Sequence, residues 1–162
     1  MENIDYYNNG KIQFLFAAGS KLYLLDRLGH WVNGFPAELG KPVLLGPAAY
    51  DFTGAHGYTV MVLHKDNTLE MYNLHGQKPA SWQGIRAPET VKSLPEPVSV
   101  GGKSYWVVRT SVRTLVYGFD GGDPLTREEG GKMIKPDSPV TPKGKGVSVE
   151  CYDGRTRDIK LN

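Results

Sequence analysis

The stretch GYTVMVLHKDNTLEMYNLHG, residues 57–76, contains two short apolar runs separated by a polar turn. The first run, YTVMVL, is rich in β-branched and aromatic residues, and Asp66 and Asn67 supply the turn. Runs of this composition on either side of a short polar turn are typical of a β-hairpin. We therefore predict two antiparallel strands in this stretch.

The same pattern occurs twice more without gaps. GKIQFLFAAGSKLYLLDRLG (residues 10–29) and KSYWVVRTSVRTLVYGFDGG (residues 103–122) align with it at offsets of 47 and 46 residues. The closing glycines keep the same steps, and Leu22, Leu69 and Leu115 fall in register. This internal repeat predicts three equivalent hairpins.

Each hairpin is followed by a glycine turn, a third short segment and a strand that leads into the next copy. A repeat of 46 or 47 residues that contains about four strands is typical of a β-propeller blade. We predict an all-β, propeller-like chain with about three and a half four-stranded antiparallel blades. Within a single segment spanning 1–162, the predicted repeats cover residues 10–56, 57–102 and 103–145. A partial repeat covers 146–162 and again has the pattern of a strand, an Asp-Gly turn and a strand, which predicts a fourth hairpin.

The composition fits many turns and short strands, because the 162 residues include 20 glycines and 11 prolines. The net charge is only +2. From Lys132 onward the chain carries seven Lys or Arg against four Asp or Glu, which is mildly basic. A nucleic-acid binder usually shows a dense basic stripe with interleaved aromatics. We therefore expect no nucleic-acid partner.

The single cysteine, Cys151, excludes an internal disulfide, and we expect it to be a small buried hydrophobe. The N-terminal MENIDYYNNG has neither the basic nor the apolar region of a signal peptide. No apolar run approaches the roughly 18 residues of a membrane span. We expect either a cytosolic chain or part of a longer protein, and a strand so close to Met1 favours the second.

The segment KLYLLDRLGHWVNGFP, residues 21–36, combines a strand, Asp-x-x-Gly, an aromatic residue and Gly-Phe-Pro. It resembles the repeat of bacterial extracytoplasmic β-propellers of the pyrroloquinoline-quinone-like and FG-GAP (integrin-like) kind, although only the first copy carries the full pattern. Residues 50–78 also resemble large uncharacterised cell-envelope proteins of Gram-negative bacteria. The resemblance implies the C-terminal part of such a protein, in the periplasm or on the outer cell surface.

FG-GAP-type loops bind calcium through a spaced series of Asp and Asn residues, which directs attention to YDFTGAHG, residues 50–57. Calcium takes six to eight oxygen ligands. Asp51 and Thr53 could serve, but the next alternate positions are Ala55 and Gly57. We expect a degenerate calcium-like loop kept for its turn, with Asp51 accepting backbone hydrogen bonds and Gly54 or Gly57 taking a positive φ. No metal and no cofactor is expected.

Other catalytic or metal-binding patterns are weak. The histidines lie in or beside turns without the spacing of paired metal ligands, although His56 could meet His75 across a hairpin end. Acid pairs such as Glu128 with Glu129 lie among glycines on predicted exposed loops, where no burial raises a carboxyl pKa. No serine lies in a nucleophile elbow. These patterns do not support a catalyst.

Five aromatic residues could line a sugar- or quinone-binding face, since stacking on rings is common in such sites. They are Trp31, Phe35, Trp82, Tyr105 and Trp106. Trp31 and Trp82 follow the closing glycines of successive copies. One aromatic residue at this point of each repeat favours packing between neighbouring sheets over ligand binding.

We therefore predict a non-catalytic binding or scaffolding module, with binding in the loops at one end of the blades. Trp82, Arg86 and Glu89 are expected to be exposed and are the candidate residues for protein contact. The partner is a protein or the missing blades of a parent protein, because open repeats expose faces that need a neighbour. A homodimer, cytosolic and self-contained, is a further option. The alternative function is the accessory part of a propeller hydrolase or lyase whose catalytic residues lie in missing upstream blades.

Overall fold

The computed structural model describes residues 1–54 and 57–161. Their regular structure is β-strand, apart from one turn of 3-10 helix at Gly130–Lys132. The all-β prediction is confirmed. In these ranges no helix is long and apolar enough to cross a membrane. The strands are β1 (Glu2–Ile4), β2 (Gln13–Ala18), β3 (Lys21–Leu25), β4 (Ala37–Glu38), β5 (Val43–Tyr50), β6 (Thr59–His64), β7 (Thr68–Tyr72), β8 (Ile85–Arg86), β9 (Glu96–Val100), β10 (Lys103–Arg109), β11 (Thr114–Gly118), β12 (Thr141–Lys143), β13 (Gly146–Glu150) and β14 (Thr156–Lys160).

The strands form four antiparallel sheets of three or four strands. Sheet 1 has the order β1-β2-β3-β4, and sheet 2 contains β5, β6 and β7 in that order. Sheet 3 has the order β11-β10-β9, and sheet 4 has the order β12-β13-β14. Strands that follow one another in the chain therefore lie side by side, as short connections favour.

The chain divides into two compact units, Met1–Trp82 and Gln83–Asn162. The first contains sheet 1 and strands β5 to β7, and the second contains β8 and sheets 3 and 4. The expected single propeller-like segment and its number of blades stay predictions.

The predicted hairpins are present in all four copies. β2 pairs with β3, β6 with β7, β10 with β11, and β13 with β14, each antiparallel. Leu22, Leu69 and Leu115, which the repeat places in register, are all buried. A shared inward position explains why the three copies keep an apolar residue there.

The sheets begin one strand earlier than the predicted repeats. β5 pairs with β6, β9 with β10, and β12 with β13, so the predicted boundaries at residues 57, 103 and 146 fall inside sheets. The strand that leads into a hairpin completes its backbone hydrogen bonds on the first strand of that hairpin. Sheet 1 follows the same plan, because β1 pairs with β2.

One apolar cluster fills the interior of the first unit. It combines the inward residues of sheet 1, such as Leu15 and Leu24, with Val60, Val62 and Tyr72 of sheet 2. In β6 and β7 almost every residue is buried, so both faces of these strands are covered. A continuous apolar run such as YTVMVL is typical of a strand buried on both faces.

The second unit has its own apolar cluster, which includes Val116 of sheet 3 and Val147 and Val149 of sheet 4. Cys151 belongs to this cluster and is fully buried, as expected from the sequence. Burial raises the pKa of the Cys151 thiol. A buried thiol with a raised pKa is a poor nucleophile, so Cys151 contributes packing.

Candidate functional site

Trp82 and Arg86, two of the residues predicted to contact a protein, differ in exposure. Arg86 is exposed in β8, as expected. Trp82 is only half-buried at the end of the first unit, and its backbone N–H donates to the carbonyl of Pro79 at 3.1 Å. The buried indole N–H of Trp82 has no hydrogen-bond partner among the described residues. A contact through Trp82 would therefore use only part of its ring.

Glu89, the third predicted contact residue, is held by its own chain instead. Arg113 donates to its two carboxylate oxygens, from Nε at 3.1 Å and from a terminal nitrogen at 2.8 Å, and the Thr110 hydroxyl donates at 3.0 Å. Arg113 holds the pKa of this carboxyl below its usual value. The expectation of an exposed Glu89 is wrong, because the guanidinium of Arg113, which lies 24 residues later in the chain, pairs with its carboxylate.

In the calcium-like loop, Gly54 has a positive φ of 72°, and it is one of the two positions, Gly54 or Gly57, at which a positive φ was predicted. Asp51 is half-buried and Thr53 is exposed. Over residues 1–54 and 57–161 no group of three or more His, Cys, Asp or Glu side chains could hold a metal ion. The predicted backbone hydrogen bonds to the Asp51 carboxylate stay a prediction, and Ala55 and His56, including the expected meeting of His56 with His75, lie outside the described residues.

His64 is fully buried, which the sequence did not predict, because it placed the histidines in or beside turns. Its Nδ1 lies 3.1 Å from the carbonyls of both Lys41 and Pro42, so this nitrogen carries a proton and donates. Its Nε2 lies 2.8 Å from the Tyr72 hydroxyl. Burial raises the pKa of Tyr72 above its ordinary value, which keeps the hydroxyl protonated as a donor. His64 directly follows the apolar run YTVMVL, and this position in the sequence was the signal that could have predicted its burial.

Three aromatic rings lie together on the outer face of sheet 1, and we call this group the aromatic face (Phe16, Tyr23 and Trp31). Phe16 and Tyr23 are cross-strand partners whose rings stack at 5.2 Å with an interplanar angle of 7°. Trp31 lies 5.1 Å from Tyr23 and 6.2 Å from Phe16. Leu15, Leu22 and Leu24 alternate with these residues and fill the interior.

Trp31 is 54 % exposed, so no sheet of the described chain covers it as the expected packing between sheets requires. Three of the other predicted aromatics do serve the interior. Phe35 packs on the first cluster, and Tyr105 and Trp106 are buried in β10. The indole N–H of Trp106 donates to the carbonyl of Phe119 at 3.0 Å. The alternation of side chains along the strands could have placed Phe16 and Tyr23 on one face of the sheet. It could not have shown that no other part of the chain that the structure describes covers the aromatic face.

The turns that follow β3 and β7 have the same hydrogen bonds. The Asp26 side chain accepts from the backbone N–H groups of Leu28 and His30, both at 2.9 Å. The Asn73 side chain accepts from those of His75 and Gln77, at 2.8 and 3.1 Å. In both, the closing glycine N–H donates to the carbonyl of the first turn residue. Asp-x-x-Gly at residues 26–29 and Asn-x-x-Gly at residues 73–76 thus build the same turn.

Each of these turns lines a cleft in the first unit. We call them the Arg27 cleft, of about 280 Å³, and the His75 cleft, of about 570 Å³. The Arg27 cleft is lined by Lys11, Asp26, Arg27 and Leu28, with Tyr7, Asn9 and Gln13. The His75 cleft is lined by Tyr6, Gly57, Tyr58, Asn73, Leu74 and His75.

Comparison with known proteins identifies no family for this chain. No family model matches the chain, and no curated protein matches it. Among solved structures, the chain is similar to the crystal structure of the computationally designed Ika4 protein, with 16 % identity over 100 % of this chain and 99 % of that one. The TM-score of 0.40 is too low for this similarity to support an argument.

Proposed function

We propose that the chain is a non-catalytic binding or scaffolding module of a larger β-propeller protein, and that it acts in the periplasm or on the outer cell surface. The observation that carries the binding function is the aromatic face. The propeller architecture is supported by four successive antiparallel sheets, each built on a hairpin, of which the first three recur at offsets of 47 and 46 residues. The location rests on the resemblance of residues 21–36 and 50–78 alone.

The aromatic face fits a protein partner. Trp and Tyr are the residues most often found at the centres of protein interfaces, where they bury large rings at low entropic cost. Covering a large apolar side chain is worth about 1.5 to 3 kcal/mol. Trp31 is more than half exposed, so a contact there buries surface that the chain itself leaves in water.

We propose that another β-sheet, from a missing blade or a second copy of the chain, covers this face. Phe16 and Tyr23 are already stacked across β2 and β3, which reduces the entropy lost when a partner orders them. Sheets commonly pack face to face through such side chains.

The solution mass, measured by light scattering over a concentration series, tests this contact with the second copy as the available partner. We expect the wild-type chain to gain mass with concentration. Trp31→Ser should move the association to at least about tenfold higher concentration, which corresponds to about 1.4 kcal/mol. Leu28→Ser is the matched control, because Leu28 is 80 % exposed in the same unit but lies off the aromatic face.

Equal association of Trp31→Ser and the wild type would show that the aromatic face is not the contact. A wild-type chain that stays monomeric throughout the series would exclude a second copy as the partner. Circular dichroism of both variants separates loss of contact from loss of fold.

A further inference from the structure

The His75 cleft and the Arg27 cleft are the same place in two copies of the repeat. Tyr58 aligns with Lys11, and Asn73, Leu74 and His75 align with Asp26, Arg27 and Leu28 at the offset of 47 residues. Both clefts lie between the start of a hairpin and the turn that closes it. The position is therefore a cleft built by the repeat, whose lining differs between the copies.

The lining differs mainly in charge. The Arg27 cleft carries an ammonium, a guanidinium and a carboxylate, from Lys11, Arg27 and Asp26. Among the described residues that line the His75 cleft, none carries a carboxylate, ammonium or guanidinium group. An anionic ligand would lose its hydration there without gaining a cation, which disfavours it. The His75 cleft suits an uncharged ligand.

Three of the six described lining residues carry rings with polar atoms. Tyr6 meets His75 edge to face at 6.4 Å, and the Tyr58 hydroxyl accepts a hydrogen bond from the backbone N–H of Asp5 at 3.0 Å. The Asn73 side chain accepts from the backbone N–H of His75, which holds the turn that carries the exposed His75 side chain. A purely apolar ligand would cover the phenol and imidazole polar atoms without replacing their hydrogen bonds to water.

We propose that the His75 cleft binds a neutral sugar. A pyranose ring presents C–H groups to aromatic rings and hydroxyls that both donate and accept, which matches a phenol and an imidazole. The volume of about 570 Å³ lies in the range of small-molecule sites and accommodates one or two sugar rings. The proposal does not depend on the aromatic face, which shares no residue with this cleft.

The experiment is NMR of the wild-type chain with methyl glucoside, methyl galactoside and N-acetylglucosamine, and with glucuronate as the charged comparison. We expect saturation transfer to at least one neutral sugar and shifts of the Gly57 and His75 amide signals. Glucuronate should bind more weakly than the neutral sugar of the same ring. Indole and phenol are added separately as apolar probes.

Three variants locate the site. Gly57→Leu should abolish binding, because Gly57 lines the cleft and a Cβ there meets no atom of the described chain within 4 Å. His75→Ala should weaken binding about tenfold, or about 1.4 kcal/mol. Leu28→Ala changes the equivalent turn position of the Arg27 cleft and should leave sugar binding unchanged.

Several results would overturn the proposal. These are a folded wild-type chain that shows no transfer to any neutral sugar, binding of indole or phenol alone, and sugar binding that survives in Gly57→Leu. Amide shifts confined to Asp26, Arg27 and Leu28 would also overturn it. None of these results bears on the mass measurement of the aromatic face, so the two proposals fail separately.

Discussion

At the scale of single residues, His64 shows how a polar side chain is accommodated in an apolar interior. Both ring nitrogens have partners: carbonyls of Lys41 and Pro42 on one side and the Tyr72 hydroxyl on the other. Its neighbours Leu63 and Val62 are fully buried. A buried polar group without partners would destabilise the fold, so this network is a requirement for placing a histidine here.

We expect His64→Leu to lower the free energy of unfolding by about 2 to 4 kcal/mol, measured by urea denaturation. Leucine is of similar size but leaves the Lys41 carbonyl without this donor. It also removes the His64 partner of the Tyr72 hydroxyl, which keeps the Leu39 carbonyl at 3.4 Å. His75→Ala is the control, since an exposed substitution usually changes stability by less than about 0.5 kcal/mol. Equal stabilities of His64→Leu and the wild type would show that the network is not stabilising.

At the scale of elements, the repeated turn after β3 and β7 needs a glycine for its backbone. Gly29 and Gly76 have φ values of 80° and 77°, in the left-handed region that other residues rarely adopt. The surroundings differ. A Cβ on Gly76 would lie 3.0 Å from the Cβ of Ala37, whereas a Cβ on Gly29 would meet nothing within 4 Å in the part of the chain described.

This pair of glycines separates backbone strain from crowding. We expect Gly29→Ala to lower the free energy of unfolding by about 1 to 2 kcal/mol, from the left-handed conformation alone. Gly76→Ala should cost about 1 kcal/mol more, because buried Ala37 must also move. Urea denaturation of the two variants gives the difference, and an equal loss in both would mean that the crowding is relieved without cost.

At the scale of the whole molecule, the dependence of stability on pH follows from its carboxylates. Hydrogen bonds and ion pairs lower the pKa of five of them, Asp26, Glu38, Asp66, Glu89 and Asp153. A carboxyl whose pKa is lower in the folded state stabilises the fold above its ordinary pKa, and this contribution is lost as the pH falls. Burial acts on the alkaline side, where it raises the pKa of Tyr117 to about 12.

We expect the free energy of unfolding to fall below about pH 4.5, the ordinary pKa of a glutamate, and again above pH 10, the ordinary pKa of a tyrosine. Urea denaturation across this range is the measurement. Glu89→Gln tests the acid side. It should cost about 1 to 2 kcal/mol at neutral pH, and the difference from the wild type should shrink as the pH falls below 4.5. A difference that is independent of pH would contradict this role of the Glu89 carboxylate.

The sequence by itself determined the local structure of this protein. All four hairpins, the inward leucines of the first three and the turn at Gly54 followed from the alternation of apolar residues and from turn residues, because strands joined by a short turn interact with near neighbours in the chain. Cys151 was also predicted correctly, since small apolar side chains inside a strand pattern are usually buried.

Only the tertiary structure decided which side chains are covered and which are left in water. Glu89 pairs with Arg113 and His64 binds carbonyls of Lys41 and Pro42, over 22 to 24 residues of chain. The exposure of Trp31 and the two clefts depend in the same way on how strands from distant parts of the chain come together. Alternation fixes the face on which a side chain lies, but another sheet must pack on that face before the side chain is buried, and that packing involves residues far away in the sequence.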